Sequence, residues 1–375
     1  MDKITRREFI ERGTRAAVGV AAGGTGLLAA SRRRTVRELD LLVRNGTVYD
    51  GSGAAGVLAD VGVSGAEIAA VGRLEGARAK VVIDAVGKAV SPGFIDVHDH
   101  TAAELIVNPK AESAVRQGVT TIISGNCGVS VFPVTERTLA DEAGSLKKEF
   151  GIELSWRDCE GFFAALGERG HALNYATLVG QGTLRAAAMG FNDRTPTAAE
   201  LDLMKTLAVR AMEQGAVGLS TGLEYTPGSF ATSAEIIDLA RVVASSGGIY
   251  ATHMRDEEDH VLEAIDEAVA IARGSGCPLE ISHFKIGYPR NWPKLDLAIA
   301  KVDAAKRDGL DVFCDRYPYI ASSTGLSQYF PMWAREGRIE DFVARLKDPA
   351  LQDKLQAYVS EGEASLGSWD KVLLS

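Results

Sequence analysis

From Leu39 to Val90 the chain runs in short stretches where apolar and polar residues alternate, as in LDLLVRNGTVYD, DVGVSGAEIAAVG and KVVIDAVGKAV. Gly, Asn and Asp separate these stretches and no helical period runs through them. The pattern predicts a small β domain of antiparallel strands. Past Pro92 the pattern changes. Seven strand-like runs are predicted, at 93–100, 120–128, 173–180, 216–223, 248–254, 278–285 and 311–319. Amphipathic stretches lie between them. In DHVLEAIDEAVAIARGS, Val261, Ala264, Ile265, Ala268 and Ile271 fall on one helical face. Strands alternating with helices predict an α/β fold in which helices cover a buried parallel sheet.

Spacing sharpens the fold class. His98 and Cys127 are 29 residues apart, Gly222 and His253 are 31, His253 and His283 are 30, and His283 and Arg316 are 33. One strand–helix unit takes about 30 residues, so these residues occupy the same point of successive units. That point is the C-terminal end of each strand, the face that carries chemistry in a TIM-like (β/α)8 barrel. A doubly wound open sheet would instead gather its site at one switch point. The expected organisation is residues 1–31 as a leader, 32–91 as the small β domain and 92–375 as the barrel.

Composition is that of an ordinary soluble protein, 46% hydrophobic and 24% charged. The net charge of −9, with no basic cluster beyond the N-terminal region, speaks against a nucleic-acid partner. The N-terminus pairs Arg6 and Arg7, places Phe9 and Ile10 just after, and continues in an Ala/Gly-rich run to Ala30. Ala29-Ala30-Ser31 offers a cleavage site. This resembles a twin-arginine export signal and predicts a periplasmic or secreted protein. The run is too short and glycine-rich for a stable membrane span. Export makes a disulfide an open reading for Cys127, Cys159, Cys277 and Cys314, although they lack the dense spacing of a stapled domain.

Four of the six histidines, His98, His100, His253 and His283, fall at predicted strand ends. In VHDH the alternation of strand side chains would aim His98 and His100 the same way. His171 and His260 read as structural or solvated. Cys127, in SGNCG, ends the second predicted strand. Imidazole and thiolate together suit zinc. Four histidines and a cysteine exceed one closed tetrahedral ion, which leaves two readings: two ions sharing the sulfur, or one firm and one weak site.

SPGFIDVHDH, GVTTIISGNCGVS, TLVGQGTLR, GAVGLSTGLEYTPG, YATHMRDE, ISHFK and DRYPYIASST together resemble the D-aminoacylase (N-acyl-D-amino-acid deacylase) family of the amidohydrolase superfamily. The resemblance runs from about Leu39 to about Phe330. It implies that Cys127, His253 and His283 form a tight zinc site and that His98 and His100 line a weaker one. It also implies that Lys285, Tyr317, Ser323 and Tyr225 hold the substrate carboxylate and the oxyanion. The implied reaction is hydrolysis of an N-acyl-D-amino acid, a small-molecule substrate. The family's general acid/base is an aspartate at the end of strand eight. Only seven strands are predicted, so that aspartate is expected beyond Ser375 in a C-terminally truncated member. Its barrel would have open edges and a small N-terminal β-sandwich portion lacking strands, with poor solubility as the expected result. The alternatives are a cyclic-amide amidohydrolase of the hydantoinase or dihydroorotase kind, which Cys127 disfavours, and a metal-binding chain without activity.

Overall fold

The computed structural model describes residues 38–374. The chain divides into two compact units, one ending at Pro92 and one beginning at Gly93. The predicted leader, residues 1–31, lies outside the described residues.

In the first unit β1 (Leu39–Val48) pairs antiparallel with β2 (Val57–Ser64), and β2 with β3 (Glu67–Gly72). Two residues join β2 to β3, and Gly65 takes a φ of +60° there, as tight hairpin turns favour. β4 (Ala79–Asp84) and β5 (Ala89–Val90) then pair with β1 and run parallel to it. The sheet is therefore mixed, not antiparallel as predicted. The β2–β3 hairpin serves as the crossover, returning the chain to the other side of β1 in the same direction. Asp40 on β1 ties these parts together: its carboxylate accepts from Gly65 N and from Lys80 Nζ, each at 2.6 Å. The described residues of this unit form one five-stranded sheet.

The second unit carries β6 (Phe94–Asp96), β7 (Val119–Ser124), β8 (Asn174–Thr177), β9 (Val179–Gly180), β10 (Gly218–Gly222), β11 (Ile249–His253), β12 (Leu279–Ile281) and β13 (Val312–Cys314). Every pairing is parallel, and each strand pairs with its neighbour in chain order: β6-β7-β8 in one sheet and β9 through β13 in the other. Sequential order excludes the doubly wound alternative, whose order reverses at a switch point. Leu178 alone separates β8 from β9. Its N–H still donates to Ser124 O at 2.8 Å, so the two sheets meet in one strand-like segment.

Helices at 159–169, 198–213, 233–245, 261–275 and 295–307 connect and cover the strands. Their ends follow local chemistry. Thr197 and Glu200 form a reciprocal capping box, and Thr232 caps the 233–245 helix through Glu235 N. Val261, Ala264, Ile265, Ala268 and Ile271 are all buried, as their spacing predicts. The outermost strands, β6 and β13, leave Phe94, Ile95 and Phe313 exposed. At their C-terminal ends they are nonetheless drawn together, because His98 Nδ1 lies 2.9 Å from Asp315 Oδ2.

Candidate functional site

The predicted site residues lie at or just beyond the C-terminal ends of the parallel strands. His98 and His100 follow β6 rather than belonging to it, since the strand ends at Asp96. Strand alternation is therefore not what aligns them. The backbone turns after Asp96, whose carboxylate accepts from His98 N at 3.1 Å. Asp99 N then donates to Ile123 O at 3.0 Å, and the two rings end 5.2 Å apart.

The GNCG turn follows β7. Gly125, Cys127 and Gly128 all have positive φ, at 77°, 52° and 75°. Asn126 Nδ2 donates to Ile123 O and Val97 O, which fixes the turn to the segment after β6. Ser220 on β10 grips it from the other side: its hydroxyl donates to Gly125 O at 2.5 Å and accepts from Gly128 N at 3.0 Å. The Cys127 thiol is thereby held buried, with Sγ 3.4 Å from His98 Nε2 and 3.7 Å from His283 Nε2.

His283 follows β12 with φ +36°, and its N–H donates to Asp315 Oδ1 at 2.5 Å. Left-handed backbone at two non-glycine residues whose side chains meet is strain of the kind that concentrates at functional sites. Asp315 serves two of these residues, orienting the His98 ring with one oxygen and the His283 backbone with the other. His253, the last residue of β11, packs its ring 4.5 Å from His283 and 4.7 Å from Tyr225. Its Nε2 is 3.0 Å from Glu224 Oε2, yet neither ring nitrogen has an aligned hydrogen-bond partner. Glu257 is buried beside them, with Oε1 2.7 Å from His283 Nδ1 and Oε2 against Lys285 Nζ.

Among the described residues, two sets of donor atoms could hold a metal: His98, Cys127 and His283, and His253, Glu257 and His283, each within 4.8 Å of one another. Tetrahedral zinc with one sulfur and one imidazole at ordinary bond lengths separates the two donors by about 3.6 Å. The separations around Cys127, 3.4 and 3.7 Å, fit that value. The unpartnered buried nitrogens of His253 fit as well, since a buried polar atom ordinarily has a partner. The implied grouping differs in one respect. His98, not His253, is the second imidazole close to Cys127, and His253 joins His283 and Glu257. His100 belongs to neither set.

Burial, with the neighbouring charges of Glu257 and Asp315, pushes the Cys127 thiol up to about 12. Burial and nearby His98 push His100 down to about 4. Burial also lowers His283, against the opposing pull of Glu257. For Glu257 burial acts upward, but the contact with His283 and the charges of His253, Lys285 and His283 outweigh it and hold the carboxyl at about 2. Without a cation Cys127 is held as a protonated thiol, so binding one displaces the thiol proton.

Lys285 Nζ lies 5.9 Å from the Tyr317 ring centre, and that ring lies 6.4 Å from His283. Tyr225 joins through His253, and its hydroxyl is 3.3 Å from Thr324 Oγ1. Ser323 is exposed, and it is its neighbour Thr324 that reaches Tyr225. His171 and His260 are exposed, and His171 Nδ1 contacts Leu173 O. All four cysteines are free, which rules out the disulfide reading of Cys127 in this structure.

Sequence reasoning missed Asp315, Glu224 and Glu257. Glu257 stands four residues after His253, and Asp315 directly follows β13, one place before Arg316. Neither position stands out among the chain's 50 acids until its spatial neighbours are known.

A family profile described as the amidohydrolase family matches residues 81–360. An N-acyl-D-glutamate deacylase of Alcaligenes xylosoxydans xylosoxydans is 40% identical over 287 residues, covering 76% of this chain and 58% of that protein. A D-aminoacylase of the same organism is 40% identical over 295 residues, covering 77% and 59%. The crystal structure of an N-acyl-D-glutamate deacylase from Bordetella bronchiseptica, complexed with zinc and a phosphonate inhibitor, is 41% identical with a TM-score of 0.70. It covers 76% of this chain and 59% of that one. A D-aminoacylase structure concerned with its binuclear metal centre is 37% identical with a TM-score of 0.71, over 85% of this chain and 70% of that one. The chain thus spans about three fifths of the length of the curated relatives it matches. The profile match, the shared fold and the cysteine–histidine cluster at the strand ends together make this chain a member of the amidohydrolase family.

Proposed function

We propose that this chain carries the metal-binding and substrate-binding part of a zinc-dependent deacylase. The reaction is hydrolysis of the amide bond of an N-acyl-D-amino acid to a carboxylate and a free D-amino acid. The observation that carries this reading is the buried Cys127 thiol set between His98 Nε2 and His283 Nε2 at zinc-like separations, with the Lys285 cation two residues from His283. Zinc, when bound, polarises the amide carbonyl and makes a water nucleophilic near neutral pH. Cys127, His283, His98 and His253 would hold it, and His100 lines the second position. Lys285 offers an ammonium to the substrate α-carboxylate and so orients the scissile bond. Tyr317 and Tyr225 border the same space, and a phenol there can donate to a developing oxyanion. The D preference and the choice of N-acyl amino acid rest on the relatives named above.

The sequential parallel pairing of β6 to β13 supports a (β/α)8 barrel to which the described residues contribute seven strand positions, with β8 and β9 sharing one. The first unit's sheet is read as part of a β-sandwich. Arg6-Arg7 and the Ala/Gly-rich run support twin-arginine export of the protein.

Zinc stoichiometry of the purified chain and of Cys127→Ser tests the centre, and about one tightly held zinc lost in the variant is expected. Amine release from N-acetyl-D-glutamate and N-acetyl-D-methionine, against their L forms and a hydantoin, tests the reaction. Release from the hydantoin alone would favour a cyclic-amide enzyme. Zinc binding without amine release would leave a metal-binding chain lacking activity.

A further inference from the structure

Glu257 is the most enclosed acid of the site, at 5% exposure, and it faces two donors at once. Oε1 lies 2.7 Å from His283 Nδ1, close but not aligned as a finished hydrogen bond, and no other group reaches that oxygen. Oε2 is in direct contact with Lys285 Nζ. Lys285 Nζ is itself only 3.1 Å from His283 Nδ1. An ammonium has donors and no acceptor, so His283 Nδ1 cannot both receive a proton from Lys285 and give one to Glu257. The tautomer of His283 is decided by which neighbour prevails.

We propose that Glu257 is a positioning residue that decides this contest: it engages Lys285 with one oxygen and keeps the proton of His283 on Nδ1 with the other, which leaves Nε2 as a bare lone pair facing Cys127. The proposal rests on the metal reading above. A histidine that ligates a metal through one nitrogen commonly gives the other N–H to a carboxylate, which fixes the ring and its tautomer. Here the carboxylate has a second task, because the nearest competitor for Nδ1 is a cation of the same pocket. Without Glu257, Lys285 donates to Nδ1. The ring proton then moves to Nε2, where it points at Sγ and blocks ligation.

The chemistry of the replacement makes this testable. An amide has one acceptor oxygen where a carboxylate has two. In Glu257→Gln that oxygen goes to Lys285, and Nδ1 is left facing a donor. Removing the lysine frees the oxygen again. Zinc dissociation constants of the full chain, measured by chelator competition, are expected to rise about 10- to 100-fold in Glu257→Gln. Lys285→Met should stay within about threefold of the parent, and the double variant Glu257→Gln/Lys285→Met should recover most of the loss. A Gln variant that binds zinc like the parent overturns the proposal, and so does a double variant as weak as Glu257→Gln. A second measurement needs no variant. Imidazole nitrogen chemical shifts in the metal-free parent should show His283 protonated at Nδ1 and bare at Nε2, and the opposite tautomer overturns the proposal. A parent chain that takes up no zinc would sink the metal reading together with this one. A parent that binds zinc beside an unaffected Gln variant sinks this one alone.

Discussion

Gly128, next to Cys127, offers the sharpest test of how the thiol is held. Its φ is +75°, and a Cβ there would stand 2.6 Å from Gly222 N and 3.2 Å from Thr221 C, both backbone atoms of β10. β10 is wholly buried and paired on both sides, so it cannot yield. In Gly128→Ala the left-handed conformation costs about 1–2 kcal/mol for a residue with a side chain. Crowding a packed interior adds about 1–3 kcal/mol. The expected loss is thus about 2–5 kcal/mol. Restoring an ordinary separation also asks the turn to retreat by roughly 0.5–1 Å. Metal–ligand distances tolerate only about 0.2 Å, so zinc binding should weaken as well. Urea denaturation of the metal-free chain reads the first effect and chelator competition reads the second. Gly144→Ala is the control. A Cβ at Gly144 meets nothing within 4 Å, and the residue lies inside the 139–150 helix, where alanine should add about 0.5–1 kcal/mol. If Gly128→Ala loses less than about 1 kcal/mol and keeps zinc affinity within about threefold, the close approach of this turn to β10 is not what holds the thiol.

Further expectations concern the rest of the unit. Arg185 and Glu235 form a fully buried ion pair at 2.6 Å, and Arg185→Met should lose about 3–5 kcal/mol because it strands a buried carboxylate. Pairing it with Glu235→Leu should restore most of that in urea melts, and equal losses in the single and double variants would refute the account. Burial, with the charge of Asp315, raises the Glu280 carboxyl from 4.5 to about 7. Between those values the folded chain keeps a proton that the unfolded chain releases, so Glu280 lowers stability as pH rises through that window. Urea melts at pH 5 and pH 8 should differ less in Glu280→Gln, and an unchanged difference would count against the shift. Zinc at about 100 times its dissociation constant should stabilise the chain by about 2.7 kcal/mol, and Cys127→Ser should abolish this. A melting temperature of the parent that zinc does not move would contradict a metal centre in the folded state.

The seven strand positions of the second unit were legible because each pairs a short apolar run with a turn and an amphipathic helix, so two periodicities agree. Cys127 and His283 were legible through the thirty-residue register. The mixed character of the first sheet was not, because a hairpin leaves open which edge the next strand takes. Nor was the pairing of His98 with Cys127. It depends on a backbone turn after Asp96 that no alternation describes. Glu257 and Asp315 escaped because an acid in a chain with 50 acids carries no signal until its neighbours are known.

The contact between His98 and Asp315 joins residues 217 positions apart, and that between Cys127 and His283 joins residues 156 apart. Contacts of such long range form only after the chain entropy of everything between them has been given up. No early folding intermediate built from one or two strand–helix units can possess this pocket. The pocket therefore appears late in folding, and the capture of a metal there times the arrival of β13 beside β6.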